Sequence, residues 1–417
     1  MNKVFLLFGL IIIFNCCQNE TKSKQPTTDL NTTTTVIQDS IESAIDSLRK
    51  PFFNGIGVAI VDSSGVLFQQ GYGLANIHSN TPYTVNIIQP IASVSKTFIG
   101  VALMLAQEKG LLQLDDPINS YLPFKVINPN FPDNVITIRQ LATHTSTLRD
   151  TEEYMNRSYI LAEELDSSVV NFENIPQSFN PNSTSIAFSE FLKNYLSEDG
   201  IWYNKESFTN QKPGQLYEYT NVGATVAAYI IELVSKQSFE EFTSQHILDP
   251  LKMNNSGWNY EAIDQTKTSQ LYNNKTTVIP RYSLITYPDG GFLTTISDLS
   301  IYLNELIKGY SGSGKLLQKS SYNELFRKQL EAENFEDRDP NHPYKDDYNT
   351  GIFIGFSALE NIGHTGGDPG VSSLLFFNAE SKIGRILLVN TDIENQEGVN
   401  AYYNIYNTLE ELGNIFK

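Results

Sequence analysis

The chain of 417 residues is short of cysteine, of positive charge and of long apolar runs. Its two cysteines are the neighbours Cys16 and Cys17, so the folded part uses neither disulfides nor thiol chemistry. Lys and Arg number 29 against 47 Asp and Glu, and the net charge of −18 argues against nucleic acid or an anionic membrane surface as a partner. One apolar run, residues 4–14, is too short for a spanning helix, and no later run approaches that length.

The amino terminus has the pattern of an export signal. Lys3 precedes the apolar run 4–14, and an aliphatic residue stands three before Cys16, which resembles a bacterial lipoprotein signal. By that resemblance residues 1–16 are a signal peptide, Cys16 is lipidated, and the protein is exported and anchored to a bacterial membrane, in the periplasm or at the cell surface. The alternative is an ordinary secretory signal that is lost together with its cysteines. Residues 17–35 are polar and rich in threonine, which is typical of a disordered tether.

Residues 36–417 are the predicted folded domain. Two runs rich in β-formers, 55–62 and 66–73, flank a short glycine turn and predict an antiparallel hairpin. Further strands are predicted at 350–359, 371–378 and 385–389. Helices are predicted at 36–49, 185–196, 222–236, 239–248, 297–308 and 400–416. We therefore expect an α+β fold with one antiparallel sheet, built from both ends of the chain and flanked by helices, and a mainly helical subdomain inserted at about residues 95–287.

A buried helix that begins near Ser93 carries the first candidate chemistry. Residues 98–106 are apolar on every side of a helical period, which indicates burial, and Gly110 stands where the helix should end. Ser93 and Lys96 are three residues apart and share one face of the first turns. A buried lysine is costly unless its pKa falls, and a neutral amine beside a hydroxyl is a general base beside a nucleophile.

Two further stretches stand out in chain order. Residues 213–221 contain Tyr219 and Asn221, and residues 363–370 read Gly-His-Thr-Gly-Gly-Asp-Pro-Gly. Each pattern is weak alone, because Ser-x-x-Lys arises by chance, Asn221 fits a simple helix cap, and a glycine-rich stretch fits a turn before a strand.

Together and in this order, the three stretches resemble the serine β-lactamase and penicillin-binding protein superfamily, in particular its class C-like branch with a Tyr-x-Asn motif. The resemblance extends over roughly residues 45–390. That branch includes class C β-lactamases, DD-peptidases, D-aminopeptidases and esterases. The resemblance implies a serine hydrolase that works through an acyl-enzyme on a small ester, amide or peptide, with neither a cofactor nor a metal ion.

The same resemblance implies a role for each motif residue. Ser93 is the expected nucleophile, and either Lys96 or Tyr219 could take its hydroxyl proton. The residues expected to bind and orient the substrate are Asn221, His364, Thr365 and Gly366. The backbone N–H groups of Ser93 and Gly367 would form the oxyanion hole, where the helix dipole at Ser93 also helps.

His364 departs from the family pattern. The β-lactamases and DD-peptidases usually have Lys at this position, and its fixed charge holds the substrate carboxylate. A neutral histidine is a weaker anchor, which favours an esterase or amidase. Two alternatives stay open: a DD-peptidase or D-aminopeptidase on cell-wall peptides or a β-lactamase, and a non-catalytic binding lipoprotein of the same fold.

The rest of the sequence assigns no further catalytic group. No acidic residue can be placed as a separate base for deacylation, and His144 is interpreted as a structural hydrogen-bonding residue. The long segment 149–212 is rich in aromatic residues. It either covers the active site and shapes substrate choice or forms a small core of its own.

Overall fold

The structure is a computed structural model, which describes residues 30–162, 179–335, 348–357 and 360–415. The predicted signal peptide, Cys16 and residues 17–29 of the predicted tether lie outside these ranges. The first helix begins at Leu30 rather than at residue 36, so the last part of the predicted tether is helical. No helix of the described ranges is both long and apolar enough to cross a membrane.

Strands and helices alternate unevenly along the chain. The strands are β1 (Gly55–Asp62), β2 (Gly65–Asn76), β3 (Thr81–Pro82), β4 (Gln89–Pro90), β5 (Tyr159–Leu161), β6 (Leu271–Tyr272), β7 (Val278–Ile279), β8 (Tyr282–Leu284), β9 (Leu293–Thr294), β10 (Asn349–Thr350), β11 (Gly355–Phe356), β12 (Asn361–Asp368), β13 (Val371–Asn378) and β14 (Gly384–Val389). The α-helices are α1 (Leu30–Arg49), α2 (Lys96–Glu108), α3 (Ile138–Ala142), α4 (Glu152–Ser158), α5 (Phe188–Leu196), α6 (Asn221–Ser235), α7 (Phe239–Thr243), α8 (Asp249–Leu251), α9 (Ile296–Tyr310), α10 (Lys319–Leu325) and α11 (Gln396–Ile415).

The main sheet joins the two ends of the chain. Its strand order is β10-β11-β12-β13-β14-β1-β2-β3, and its neighbours pair antiparallel. The central pairing places Ile56 of β1 opposite Val389 of β14, and the hairpin places Ile56 opposite Tyr72 of β2. The predicted α+β fold, with one antiparallel sheet flanked by helices, is therefore confirmed.

Both faces of the sheet are covered. Side chains alternate along β1, so this strand contributes to a core on each face. Val58 and Ile60 pack in a core with the two terminal helices α1 and α11. Ala59 and Val61 belong to the larger core on the opposite face, which contains α2 and α9. This arrangement explains why β1 is a continuous apolar run rather than an alternating one.

The helix that follows Ser93 is buried, as its apolar pattern predicts. Every residue of α2 from Lys96 to Ala106 is buried. Gly100 permits a close crossing, because a Cβ atom there would lie 2.2 Å from the backbone oxygen of Ile352. Packing in the larger core thus fixes the position of α2, and with it the first turn that faces the site.

Two local predictions were wrong in detail. The side chain that caps α6 is Thr220, not Asn221. Residues 350–357 of the predicted strand 350–359 do not form one continuous strand, since β10 pairs back onto β11 and Phe353 has a φ of 51°; residues 358–359 lie outside the described ranges.

Candidate active site

The Lys96 amine is fully buried and lies at the centre of the site. Its Nζ donates hydrogen bonds to Ser93 Oγ at 2.9 Å and to Asn221 Oδ1 at 2.7 Å. A third bond, of 2.5 Å, goes to the backbone oxygen of Asp289. An ammonium has three N–H donors, and this geometry uses all of them.

The acidic groups around Lys96 favour its charged form, whereas burial alone would favour the neutral amine. Burial lowers its pKa, but attraction to Tyr219, Asp289 and Asp150 outweighs burial, so the pKa of Lys96 is raised. The sequence pattern showed the apolar surroundings of the helix and not the acidic groups that other segments bring to it. A charged Lys96 donates to Ser93 and Asn221 and has no lone pair with which to accept a proton.

Ser93 lies in a single helical turn, Ala92–Ser95, that leads into α2. Two hydrogen bonds of Ser95 hold this turn: its Oγ donates to the Ala92 oxygen at 2.6 Å and accepts from the Phe292 N–H at 3.2 Å. Ala92 has a φ of 48°, a left-handed conformation that is uncommon outside glycine. The strained residue therefore stands directly before the candidate nucleophile.

Strand β12 lies against the nucleophile turn because Gly366 has no side chain. A Cβ atom on Gly366 would lie 2.4 Å from the Ile91 oxygen and 2.3 Å from Ser373 Oγ. Ser373 Oγ of the next strand donates to the same Ile91 oxygen at 2.7 Å. Gly367 and Ser93 consequently line one small cavity, of about 60 Å³, where their backbone N–H groups are the predicted oxyanion hole.

Tyr219 lies between Lys96 and two histidine rings. Its ring centroid is 5.2 Å from Lys96 Nζ, 4.5 Å from the ring of His144 and 6.0 Å from the ring of His364. The side chain is 38% exposed, so a bound molecule can reach it from solvent. The structure thus brings Tyr219, Ser93, Lys96 and the His364 strand together at one place.

His144 is hydrogen-bonded to the residues on either side of Tyr219. Its ring is buried, its Nδ1 accepts from the Thr220 N–H at 3.3 Å, and its backbone oxygen accepts from the Glu218 N–H at 2.8 Å. Burial and then the charge of Lys96 lower the pKa of His144, so the ring is neutral near pH 7. These contacts agree with its interpretation as a structural residue.

His364 is neutral as well. Burial and then Lys96 lower its pKa to about 4. Its Nδ1 lies 2.5 Å from the backbone oxygen of Thr365, a contact in which the ring N–H donates. A neutral ring at this position cannot provide the fixed positive charge that the family usually has there.

Asp150 is a site residue that the sequence did not reveal. Its Oδ2 accepts from the Asn221 N–H at 2.6 Å, and its Oδ1 accepts from the Val222 N–H at 2.9 Å and from Thr220 Oγ1 at 3.0 Å. Asp150 thereby satisfies the first N–H groups of α6 and leaves the Asn221 side chain for Lys96. It precedes Asn221 by 71 residues, so no local spacing could indicate the contact.

Asp289 is a second acid that the sequence did not reveal. Its carboxylate is buried and accepts from the Tyr154 hydroxyl at 2.6 Å and from Thr225 Oγ1 at 3.0 Å. Burial raises the pKa of Asp289. Its backbone oxygen holds Lys96, and its side chain anchors that backbone to α4 and α6.

Asp368 follows Gly367, whose backbone N–H is part of the predicted oxyanion hole. No role was predicted for Asp368 from the sequence. Its Oδ1 accepts from the Tyr159 hydroxyl at 2.5 Å, and it lines the same cavity as Ser93. Among the described residues, no group of three or more His, Cys, Asp or Glu side chains could hold a metal ion. The predicted lipidation residue Cys16 lies outside those residues.

The whole chain resembles known proteins at low sequence identity. A family model described as Beta-lactamase matches residues 41–410. Protein flp of Staphylococcus aureus (strain MW2) is 24% identical over 362 residues, which are 86% of this chain and 64% of the relative. The chain thus spans 64% of the length of that curated relative.

Solved structures share the fold. The octameric penicillin-binding protein homologue from Pyrococcus abyssi superposes with a TM-score of 0.68 at 22% identity, covering 91% of this chain and 77% of its own. The D-amino acid amidase from Ochrobactrum anthropi SV3, complexed with L-phenylalanine amide, has a TM-score of 0.63 at 18% identity, covering 90% of this chain and 99% of its own.

Replacing Asp150 with Asn should destabilise the protein. One of the two acceptor oxygens becomes an amide N–H₂ that faces backbone donors, and loss of a helix cap costs about 1–2 kcal/mol. Denaturant unfolding of the D150N variant should show that loss. Activity should fall with it, because Asn221 loses its fixed position.

The matched control is Glu218→Gln, the same change in an ion pair with Arg149 whose two side chains are 41% and 50% exposed. Such a pair contributes about 0–1 kcal/mol, so unfolding should change little. Equal unfolding free energies for D150N and the wild type would contradict the role of Asp150.

Proposed function

The chain belongs to the beta-lactamase family, and we propose that it is a serine hydrolase that forms an acyl-enzyme on a small ester, amide or peptide. The observation that supports this most directly is the Lys96 ammonium, which binds Ser93 Oγ at 2.9 Å and Asn221 Oδ1 at 2.7 Å while fully buried. A buried charge is costly, and a protein that needed only a binding surface would have no use for one beside a serine hydroxyl.

In the acylation step, Tyr219 acts as a phenolate: Ser93 Oγ attacks the carbonyl carbon and its proton passes to the Tyr219 oxygen. Lys96 is charged and stabilises the serine oxygen as negative charge develops there, and Tyr219, whose ring centroid is 5.2 Å from Lys96 Nζ, is the proposed base. The N–H groups of Ser93 and Gly367 stabilise the carbonyl oxygen as it becomes an oxyanion. Tyr219 then returns the proton to the leaving alcohol or amine, and the acyl group stays on Ser93.

In the deacylation step, water takes the place of the leaving group beside Tyr219. Tyr219 removes a proton from that water, the hydroxide attacks the acyl carbon, and the proton returns to Ser93 Oγ. Two acids at the site are held by other contacts: Asp150 caps α6, and Asp289 bonds Tyr154 and Thr225. Neither of these two is proposed as a base for deacylation.

A substrate without a free carboxylate, such as a simple amide or ester, is favoured over one that carries a carboxylate. His364 is neutral near pH 7 because burial lowers its pKa to about 4. The D-amino acid amidase that shares this fold is described in complex with L-phenylalanine amide, a molecule without a carboxylate, and the present chain superposes on it over 90% of its length. Both observations support an amidase or esterase.

A fluorophosphonate probe, which phosphonylates activated serine hydroxyls with loss of fluoride, should label Ser93 of the purified protein. Labelling should disappear in Ser93→Ala and persist in Ser313→Ala, a matched change at an exposed serine. Tyr219→Phe should lower kcat on p-nitrophenyl esters by about 10²–10⁴-fold, since it removes the proton acceptor. Intact-mass and peptide mass spectrometry locate the label.

Labelling that survives Ser93→Ala would refute the acyl-enzyme. If no ester, amide or lactam in a broad panel is turned over while a ligand still binds saturably, the protein is a non-catalytic binding lipoprotein instead.

The second candidate function, a DD-peptidase or β-lactamase, is separated by its need for a substrate carboxylate. We expect the wild type to hydrolyse the C-terminal amide of an acylated D-alanyl-D-alanine faster than the free acid. His364→Lys should raise the acid-to-amide ratio of kcat/KM by about 10-fold, because a new cation attracts the carboxylate. Steady-state kinetics on the two peptides measures the ratio.

His78→Lys adds the same charge at an exposed position and should leave the ratio unchanged. A wild-type protein that cleaves the free acid as efficiently as the amide, or that hydrolyses nitrocefin, would favour the second candidate.

We also propose that the protein is exported and attached to a membrane through a lipid on Cys16. Cells grown with an alkyne-modified palmitate should incorporate it into the wild-type protein and into Cys17→Ser, but not into Cys16→Ser. In-gel fluorescence after click chemistry reads the label, and fractionation should place only the labelled forms in the membrane. A label that is absent or unaffected by Cys16→Ser would indicate an ordinary secretory signal.

A further inference from the structure

The cavity beside Ser93 is acidic and lies on one side of the nucleophile. Its lining includes Ser93, Gly367 and Asp368, and none of its described lining residues is Lys, Arg or His. Tyr219 and His364 do not line it. The site therefore has a Tyr219 side and an Asp368 side, with Ser93 between them.

The direction of the reaction assigns the two sides to the two parts of a substrate. The leaving group must receive the proton that Tyr219 took from Ser93, so it faces Tyr219. The acyl part, which stays on Ser93, then extends to the opposite side, into the cavity of Asp368. This assignment rests on the proposed hydrolase function.

The Asp368 carboxylate has a free acceptor that points into this cavity. Its Oδ1 is held by the Tyr159 hydroxyl at 2.5 Å, which fixes the orientation of the carboxylate. No described residue donates to its Oδ2, which faces the bare backbone of Gly290: a Cβ atom there would lie 3.1 Å from it. The absence of a side chain on Gly290 keeps this oxygen accessible.

We propose that this cavity is an ammonium-binding subsite, in which Asp368 selects substrates whose acyl part is a small aminoacyl group. An ammonium is a pure donor with a positive charge, and it matches the free oxygen of a fixed carboxylate. The cavity of about 60 Å³ has room for the ammonium and a methyl-sized side chain. Glycyl or alanyl amides and esters have that size.

The titration of Asp368 supports the same assignment. Burial raises its pKa to about 7, as do Asp289 and Asp392, while the Tyr159 bond and Lys96 act in the opposite direction. Tyr282 also faces it and feels its charge. The carboxylate forms above about pH 7, whereas an α-amino group is charged below about pH 8. Both partners are therefore charged in the window between these values, and selection for the amine should be strongest there.

The test compares two anilides that differ by one amine. The purified full-length protein is assayed with alanine p-nitroanilide, each enantiomer separately, and with propionic acid p-nitroanilide. The wild type should prefer one alanyl enantiomer over the propionyl compound by about 10- to 100-fold in kcat/KM, as expected for a charge-assisted hydrogen bond. Asp368→Asn should lower this ratio at least about 10-fold, mainly through KM, and should abolish its rise near pH 7.

Two further variants control the experiment. Tyr159→Phe removes the hydroxyl that orients the Asp368 carboxylate and should lower the ratio by a smaller factor, which also covers the case in which D368N does not fold. Glu394→Gln removes a neighbouring exposed carboxylate that does not line the cavity and should leave the ratio unchanged. Thermal unfolding of each variant establishes that it is folded.

The outcomes separate this inference from the proposed function. A wild type that hydrolyses both anilides equally, with a ratio that D368N does not change, overturns the ammonium subsite and leaves the hydrolase. If neither anilide is hydrolysed and Ser93 is not labelled by the probe, the hydrolase fails. Calorimetry with alaninamide and propionamide then decides: alaninamide binding that D368N abolishes supports the subsite, and equal or absent binding overturns it.

Discussion

The buried ammonium of Lys96 is the constraint on which the rest of the site depends. A charge without solvent must be surrounded by acceptors, and here each N–H is directed to a different segment of the chain: Ser93 Oγ, Asn221 Oδ1 and the backbone oxygen of Asp289. The same requirement explains the acids nearby, since Asp150 fixes Asn221 and Asp289 fixes its own backbone. A fixed lysine in turn fixes the serine oxygen that it binds.

Ser93 divides the cleft into two chemically different sides. On one side Tyr219 lies among Lys96 and two neutral histidines; on the other, the cavity of Asp368 has no basic side chain among its described lining residues. Of the described residues in segment 149–212, Tyr159 lines the cavity and orients Asp368, as expected if the segment shapes the site. Phe191 packs in the larger core rather than in a small core of the segment's own.

Local patterns predicted well those features that depend on neighbours in the sequence. The buried character of α2 and the β1–β2 hairpin both follow from residues a few positions apart. Caps and strands near the site were predicted less well. Asn is a residue type that often caps helices, but at α6 the first N–H groups are bound by Thr220 and Asp150. The Asn221 side chain instead accepts a hydrogen bond from Lys96.

The sequence by itself determined the candidate nucleophile, its lysine and tyrosine, the neutral residue at position 364 and the sheet built from both chain ends. These are properties of residue type, spacing and order. Only the tertiary structure decided the charge of Lys96, because its pKa is set by Tyr219, Asp289 and Asp150 from three other segments. Likewise, only packing placed the free oxygen of Asp368 beside Gly290 in the cavity of Ser93. Burial and electrostatics depend on distances through space, and those arise only when distant segments meet.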